Sequence, residues 1–205
     1  MKKYMLFFVV ILTNVLPVIS SAETRVLTLA GSTREGSTNK KLARLAANYA
    51  TQLGANAIYI DIRDYPIPFY DEDLESSQGM PDNAKAIRQM MIESQIIFIA
   101  SPNYNRSPSA VLKNLLDWVS RGETGGESFD AFKDKKFVLM SASPGATGGI
   151  KGLPHLRDII GVMDGTVSPK EFAVPKAYEA FDEQGQLVDP KKNMELLELV
   201  REALN

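Results

Sequence analysis

The chain has 205 residues, of which 44% are hydrophobic and 23% are charged, and these proportions suit one globular domain with a full core. Its formal net charge is −2, and its lysines and arginines form no block, which argues against an extended nucleic-acid surface. Cysteine is absent and histidine occurs once, so the usual zinc and iron–sulfur ligand sets are excluded.

The first 22 residues are typical of a secretory signal peptide. Lys2 and Lys3 precede an apolar run at 4–19, which is followed by the small residues 20–22. The run is shorter than the roughly 20 apolar residues that span a bilayer, so we predict cleavage after Ala22, with an uncleaved membrane anchor as the alternative. The mature protein is then expected to be exported, to the periplasm of a bacterium, with no membrane span left.

Residues 23–205 are predicted to form one domain in which strands and helices alternate. We predict strands at 25–30, 57–62, 96–100, 137–142 and 166–174. Apolar residues at helical spacing predict helices at 42–53, 81–94, 109–121 and up to about 163, and a closing helix that begins at Asp189. The connection at 63–80 is predicted to be a loop, and a loop of this length is more often functional than idle.

This alternation predicts a parallel sheet with helices on both faces. The strand at 96–100 is apolar throughout, as in a central strand that is covered on both sides. Three polar loops follow the first, third and fourth strands. Because ligands of such folds bind outside the carboxyl ends of the strands, we expect these three loops to meet and form the binding site.

The first of these loops, residues 31–39, is predicted to bind an anion. It places one cation, Arg34, among hydroxyl and amide side chains at the start of a helix, where free N–H groups and the helix dipole favour negative charge. The loop matches neither a P-loop nor G-x-G-x-x-G. An ordinary capped helix start is the alternative for these side chains. The polar neighbours of the cation are Ser32, Thr33, Ser37, Thr38 and Asn39.

The other two loops suit a flat polar ring. The second offers Tyr104 as an aromatic face between two carboxamides, Asn103 and Asn105, after the extended segment at Pro102. The third, residues 143–149, is rich in glycine, which lets the backbone approach a ring edge. A phosphate at one end and a planar ring at the other describe a mononucleotide such as FMN.

Three segments resemble motif blocks of the NADPH-dependent FMN reductase family. They read GSTREGSTNKKLA, SPNYNRSPSAVLKNLLDWVSR and SASPGATGGIKGLPHLRDII, and they occur in the family's order. The resemblance implies a flavodoxin-like three-layer α/β sandwich whose five-stranded parallel sheet has the order 2-1-3-4-5. It also implies FMN as cofactor, NADPH or NADH as electron donor, and a quinone, azo compound, metal oxyanion or free flavin as the small-molecule acceptor.

The resemblance carries roles onto individual residues. It implies no catalytic side chain and no metal, since the flavin itself carries the redox chemistry, and it implies a homodimer or homotetramer. Asn103 stands where many members have glutamate, and Ser109–Ala110 replaces the family's usual Pro-Gly. The phosphate would be held by Ser32, Arg34, Ser37, Thr38 and Asn39, and the ring bordered by Pro102, Asn103, Tyr104, Asn105, Ser143, Gly145 and Gly148.

Two other functions stay open at this level. The first is an exported flavodoxin-like electron carrier that a membrane redox partner reduces, and the second is an anion- or nucleotide-binding module without redox activity. Turnover of NAD(P)H with a quinone separates the enzyme from the carrier, and a visible flavin absorbance separates both from the third class.

Overall fold

The structure is a computed structural model that describes residues 23–205. The predicted signal peptide, residues 1–22, lies outside this range. Within it, no helix is long and apolar enough to cross a bilayer. The elements are β1 (Arg25–Ala30), α1 (Thr38–Gln52), β2 (Asn56–Ile60), α2 (Glu72–Gln78), α3 (Asp82–Glu93), β3 (Ile96–Ala100), α4 (Ala110–Val119), β4 (Lys136–Ala142), α5 (Leu153–Gly161), β5 (Thr166–Val167), β6 (Phe172–Val174) and α6 (Pro190–Leu204).

The strands form one parallel sheet in the order β2-β1-β3-β4-β5, with β6 also paired to β4. The predicted order 2-1-3-4-5 is therefore confirmed. In β3 all five residues are buried, as expected of a central strand. Ile97 and Ile99 face a core shared with α3, α4 and α5. Phe98 faces a second core shared with α1 and α6, so the sheet is the middle of three layers.

The last predicted strand, 166–174, is two short strands, and the prediction of one continuous strand is wrong. Strands β5 and β6 pair with successive parts of β4. Pro169 lies between them and has no N–H to donate to the sheet. Arg157 of α5 stabilises the break, because its guanidinium donates to the carbonyls of Val167 and Ser168 and to the Glu171 carboxylate.

The connection at 63–80 is partly helical, which the sequence analysis did not predict. Helix α2 lies inside it, and Asp71 caps its first turn by accepting hydrogen bonds from the N–H groups of Asp73 and Leu74. Gly79 follows the helix with a φ of 72°, a conformation that favours glycine. The acidic sequence resembles a loop because only one residue of this helix, Glu75, is buried.

Residues 65–70, which we call the strap, lie against α4. The Pro68 carbonyl accepts hydrogen bonds from Trp118 Nε1 at 2.8 Å and from Asn114 Nδ2 at 2.9 Å. The Tyr70 N–H donates to Asn114 Oδ1 at 2.7 Å. These bonds fix the strap although it has no regular structure, and they leave the Phe69 side chain 77% exposed.

Candidate active site

The loops after β1, β3 and β4 meet at the carboxyl edge of the sheet, as predicted, and enclose a cleft of about 220 Å³. We call this space the loop cleft. Its lining combines hydroxyls, amides, one guanidinium and two phenol rings. The lining residues are Ser32, Arg34, Ser37, Thr38, Asn39, Pro102, Asn103, Tyr104, Ala142, Ser143, Pro144 and Tyr178.

Most of the predicted site residues line the loop cleft. Among the described residues, the exceptions are Asn105, Gly145 and Gly148. Asn105 is at the exposed tip of a turn. Gly148 has a φ of 62°, and a Cβ there would come within 2.7 Å of the Pro175 nitrogen. Its role in the structure is therefore to let the third loop pass close to the end of β6.

The anion end of the cleft keeps its donors free. Ser37 occupies the N-cap of α1 but makes no side-chain cap hydrogen bond. The alternative prediction, that these side chains only cap the helix, is therefore wrong for Ser37. Within residues 23–205, no hydrogen bond or ion pair engages the Thr38 hydroxyl or the Arg34 guanidinium. The Arg34 N–H donates to Ser32 Oγ at 3.3 Å. A hydroxyl, a guanidinium and the first N–H groups of a helix are thus available to one anion.

Asn39 has a structural role besides its predicted role as a direct phosphate ligand. Its side chain is 3% exposed, and both of its polar atoms are already bonded to the backbone of Ala142. A carboxamide engaged in this way positions the loops, and only its second Nδ2 N–H is left for a ligand. The sequence analysis could not identify this partner, because it lies 103 residues further along the chain.

Two exposed tyrosines line the cleft. Tyr104 is 55% exposed and Tyr178 is 67% exposed, so both rings are accessible from solvent. Tyr178 was missed in the sequence analysis. It follows β6 by four residues, and a position just beyond the carboxyl end of a parallel strand is the signal that could have identified it.

A tight turn holds Tyr104 in place. The backbones of Tyr104 and Ser107 exchange two hydrogen bonds of 3.0 Å, and the two central residues, Asn105 and Arg106, have φ values of 53° and 64°. Positive φ at both central positions is the geometry of a two-residue hairpin turn. Asparagine tolerates this region, whereas for arginine it is strained.

Ser109 connects the first loop to α4. Its hydroxyl donates to the Gly31 carbonyl at 2.6 Å and accepts a hydrogen bond from the Leu112 N–H at 3.2 Å. The same hydroxyl therefore caps α4 and fixes the start of the first loop, residues 31–39. A Cβ on Gly31 would come within 2.8 Å of Leu112 Cδ2, which explains why glycine occupies this position.

Comparison with known proteins decides the class of this site. The family model described as NADPH-dependent FMN reductase matches residues 24–179. The chain belongs to the NADPH-dependent FMN reductase family. It is accordingly an oxidoreductase that uses FMN as cofactor and NAD(P)H as electron donor.

Individual relatives agree with this assignment. A NADPH:quinone oxidoreductase of Arabidopsis thaliana is 36% identical over 170 residues, which are 80% of this chain and 82% of the relative. A NAD(P)H-dependent FMN reductase of Pseudomonas aeruginosa is 32% identical over 186 residues, 90% of this chain and 95% of the relative. A quinone reductase of Escherichia coli K12 is 32% identical over 172 residues, with coverages of 82% and 87%.

Solved structures confirm the flavodoxin-like fold. The flavoenzyme FerB from Paracoccus denitrificans, an NAD(P)H:(acceptor) oxidoreductase, superimposes with a TM-score of 0.72 at 21% identity. The alignment covers 88% of this chain and 95% of that one. The chemistry of the loop cleft fits the family's cofactor, since the first loop contributes free anion donors and the loop after β3 contributes aromatic and amide groups.

Proposed function

We propose that the loop cleft binds FMN and that the enzyme passes electrons from NAD(P)H to a quinone. The observation that carries this proposal is that different loops supply the cleft with two kinds of chemistry. The loop after β1 and the start of α1 contribute the Arg34 guanidinium and free helix N–H groups, and the loop after β3 contributes Tyr104 and the Asn103 carboxamide. An FMN molecule has the matching division, with a phosphate at one end and a planar ring at the other.

The anion end suits a phosphate monoester in charge and in hydrogen bonding. Such a group carries nearly two negative charges and three acceptor oxygens. Arg34, Ser37 and Thr38 would hold it together with the first N–H groups of α1. Each charge-assisted hydrogen bond contributes about 1.5–3 kcal/mol, so this end supplies a large share of the affinity.

The ring end would be formed by residues from two loops. Pro102, Asn103 and Tyr104 come from the loop after β3, and Ser143 from the loop after β4. The cleft volume of about 220 Å³ is below the roughly 300–1,000 Å³ of enclosed ligand pockets. Part of a ring bound here would lie at the open mouth, where the nicotinamide and the acceptor can reach it.

The protein's own contribution to the reaction is binding and orientation. When bound, FMN would supply the redox chemistry that links NAD(P)H to the acceptor. No carboxylate or imidazole is present among the described residues that line the cleft. A proton needed by the acceptor would therefore come from water at the mouth, and the side chains act by fixing the ring and its phosphate.

A quinone is the acceptor that the relatives favour. Proteins named as quinone reductases or NADPH:quinone oxidoreductases are among those that this chain matches at 32–36% identity. The mouth of the cleft adds a physical reason, because Tyr104 and Tyr178 offer exposed aromatic faces to a flat acceptor.

The test is a spectrum followed by steady-state kinetics. Purified protein mixed with FMN and passed through a desalting column should retain visible flavin absorbance. It should then oxidise NADPH or NADH with a soluble quinone at a kcat/KM above about 10⁴ M⁻¹s⁻¹. Bound flavin without nicotinamide turnover would instead support the electron carrier, and the absence of bound flavin would contradict the proposed site.

We also propose that the enzyme is a homodimer or homotetramer. Phe69 supports this, because it lies 77% exposed on the strap, whose neighbouring Pro68 is hydrogen-bonded to α4. Aromatic side chains such as phenylalanine are enriched at protein interfaces. Light scattering of the wild type and of Phe69→Ser measures the mass directly, and a monomeric wild type at micromolar concentration contradicts the proposal.

A further inference from the structure

Two buried oxygen atoms next to the loop cleft have no hydrogen-bond partner within residues 23–205. They are Asn103 Oδ1 and Ser141 Oγ. Both lie against the turn that contains Gly149 and Gly152. A Cβ on Gly149 would come within 2.2 Å of Ser141 Oγ, and a Cβ on Gly152 within 2.9 Å of Asn103 Oδ1. Gly149 also has a φ of 87°, which favours glycine, and a side chain at Gly152 would displace the Asn103 oxygen.

The contact with Gly152 decides how the Asn103 carboxamide is oriented. Its oxygen faces the turn, where the Cα–H group of a glycine is a weak but favourable partner for a carbonyl oxygen. The reverse orientation would place the N–H donors against that Cα–H, and a buried unpaired donor is costlier than an under-satisfied carbonyl. The turn thus holds the oxygen inward.

The amide nitrogen of Asn103 is consequently the end available to a ligand. Asn103 lines the loop cleft, and Nδ2 is not among the buried polar atoms that lack a partner. No described residue accepts a hydrogen bond from it. A carboxamide whose oxygen is held by the fold and whose N–H₂ group is free acts as a donor of fixed direction.

We propose that Asn103 donates a hydrogen bond to the flavin ring and raises the reduction potential of bound FMN. This inference rests on the proposed placement of the ring beside Asn103. A hydride from NAD(P)H brings two electrons and one proton to the ring, so the ring gains one negative charge. A neutral N–H donor stabilises the reduced ring more than the oxidised ring, whereas a carboxylate at the same place would do the opposite.

The experiment compares the binding of oxidised and reduced FMN to Asn103→Asp. This variant keeps the shape of the side chain, but it removes the donor and adds a charge. We expect the dissociation constant of reduced FMN to rise at least tenfold more than that of oxidised FMN. A tenfold difference corresponds to a midpoint potential about 30 mV lower for a two-electron couple.

Two further variants make the result specific. Asn103→Ala removes the donor without adding charge and should shift the potential in the same direction by a smaller amount, and it decides the question if Asn103→Asp does not fold. Asn56→Asp is the control, because it places the same charge at the exposed start of β2. This position lies at the amino ends of the strands, away from the cleft at their carboxyl ends, so the potential should stay unchanged.

The outcomes separate this inference from the proposed function. Equal weakening of both redox forms in the Asn103 variants, with no change in potential, would overturn the donor role while the FMN site stands. If the wild type fails to bind FMN at all, the proposed site and this inference are both wrong.

Discussion

Asn39 and Ala142 are joined by two hydrogen bonds although 103 positions of sequence separate them. Asn39 Nδ2 donates to the Ala142 carbonyl, and the Ala142 N–H donates to Asn39 Oδ1, both at 2.8 Å. Asn39 lies in the first turn of α1, and Ala142 ends β4. The pair therefore fixes the anion end of the loop cleft relative to the third loop.

Asn39→Ala should weaken both the fold and the binding of FMN. The substitution leaves two buried backbone groups of Ala142 without partners, and each such group costs about 1–3 kcal/mol. We expect the free energy of unfolding to fall by about 2–4 kcal/mol, measured by urea denaturation, and the dissociation constant of FMN to rise in the folded protein. Asn39→Asp keeps only the acceptor for the Ala142 N–H and should lose stability as well. Unchanged stability of both variants would contradict the clamping role.

Arg34→Ala should instead reduce affinity without reducing stability. The Arg34 side chain is exposed, and a surface substitution of this kind changes the free energy of unfolding by about 0.5 kcal/mol or less. Losing one charge-assisted contact to the phosphate should raise the dissociation constant of FMN about ten- to hundredfold. Titration of the apoprotein with FMN measures this effect.

Arg201→Ala is the matched control for Arg34→Ala. It removes the same charge from an exposed position on α6, away from the cleft. We expect its FMN affinity to equal that of the wild type. If the two variants bind FMN equally well, Arg34 does not contact the phosphate.

The parallel sheet and the meeting of the three loops could be predicted because their determinants are local. Buried strands have continuous apolar sequences, and the polar loops directly follow the strands. Parallel pairing then places the carboxyl ends of all these strands at one edge. Spacing along the chain was enough for this part of the structure, whereas the family resemblance supplied the strand order 2-1-3-4-5 and the identity of the cofactor.

The remaining features depend on contacts between distant residues. The bonds between Asn39 and Ala142 could not be predicted, because they form only when the fold brings β4 beside α1. Asn39 was therefore predicted only as a ligand-binding residue. Tyr178 was missed because it joins the cleft from a segment that carries no recognisable motif. Helix α2 was missed because its buried residue is a charged one, Glu75, and its burial depends on Arg121 in the segment after α4.

Glu75 should make the stability of the enzyme depend on pH. Its carboxylate is 4% exposed and accepts two hydrogen bonds from Arg121 at 2.9 and 3.0 Å and one from Tyr70 at 2.8 Å. The Arg121 bonds hold the pKa of Glu75 below its ordinary value of 4.5, against the opposing effect of burial. Because the pKa is lower in the folded state, this stabilisation is complete above pH 4.5 and is lost as the pH falls through the folded pKa.

Glu75→Gln is the variant that tests this pH dependence. At pH 7 it should lower the free energy of unfolding by about 3 kcal/mol, since it leaves a partly buried guanidinium without its charge partner. Below pH 4.5 the difference from the wild type should shrink. Urea denaturation from pH 7 to pH 3 gives both values. Glu183→Gln, at an exposed position, should show neither effect, and a constant difference for Glu75→Gln across this range would contradict the argument.

Export is the remaining prediction, and it depends only on the sequence of residues 1–22. We propose that the chain is cleaved after Ala22, because a positive start and a short apolar run precede small residues at the cleavage positions. N-terminal sequencing of the protein from its native cells should begin at Glu23. Ala22→Arg should block processing, because signal peptidase requires a small residue there, and a longer, membrane-associated form should accumulate. A wild-type protein that is extracted without detergent and retains Met1 would contradict cleavage and favour a cytosolic enzyme. A wild-type protein that only detergent extracts would contradict cleavage and favour an anchored enzyme.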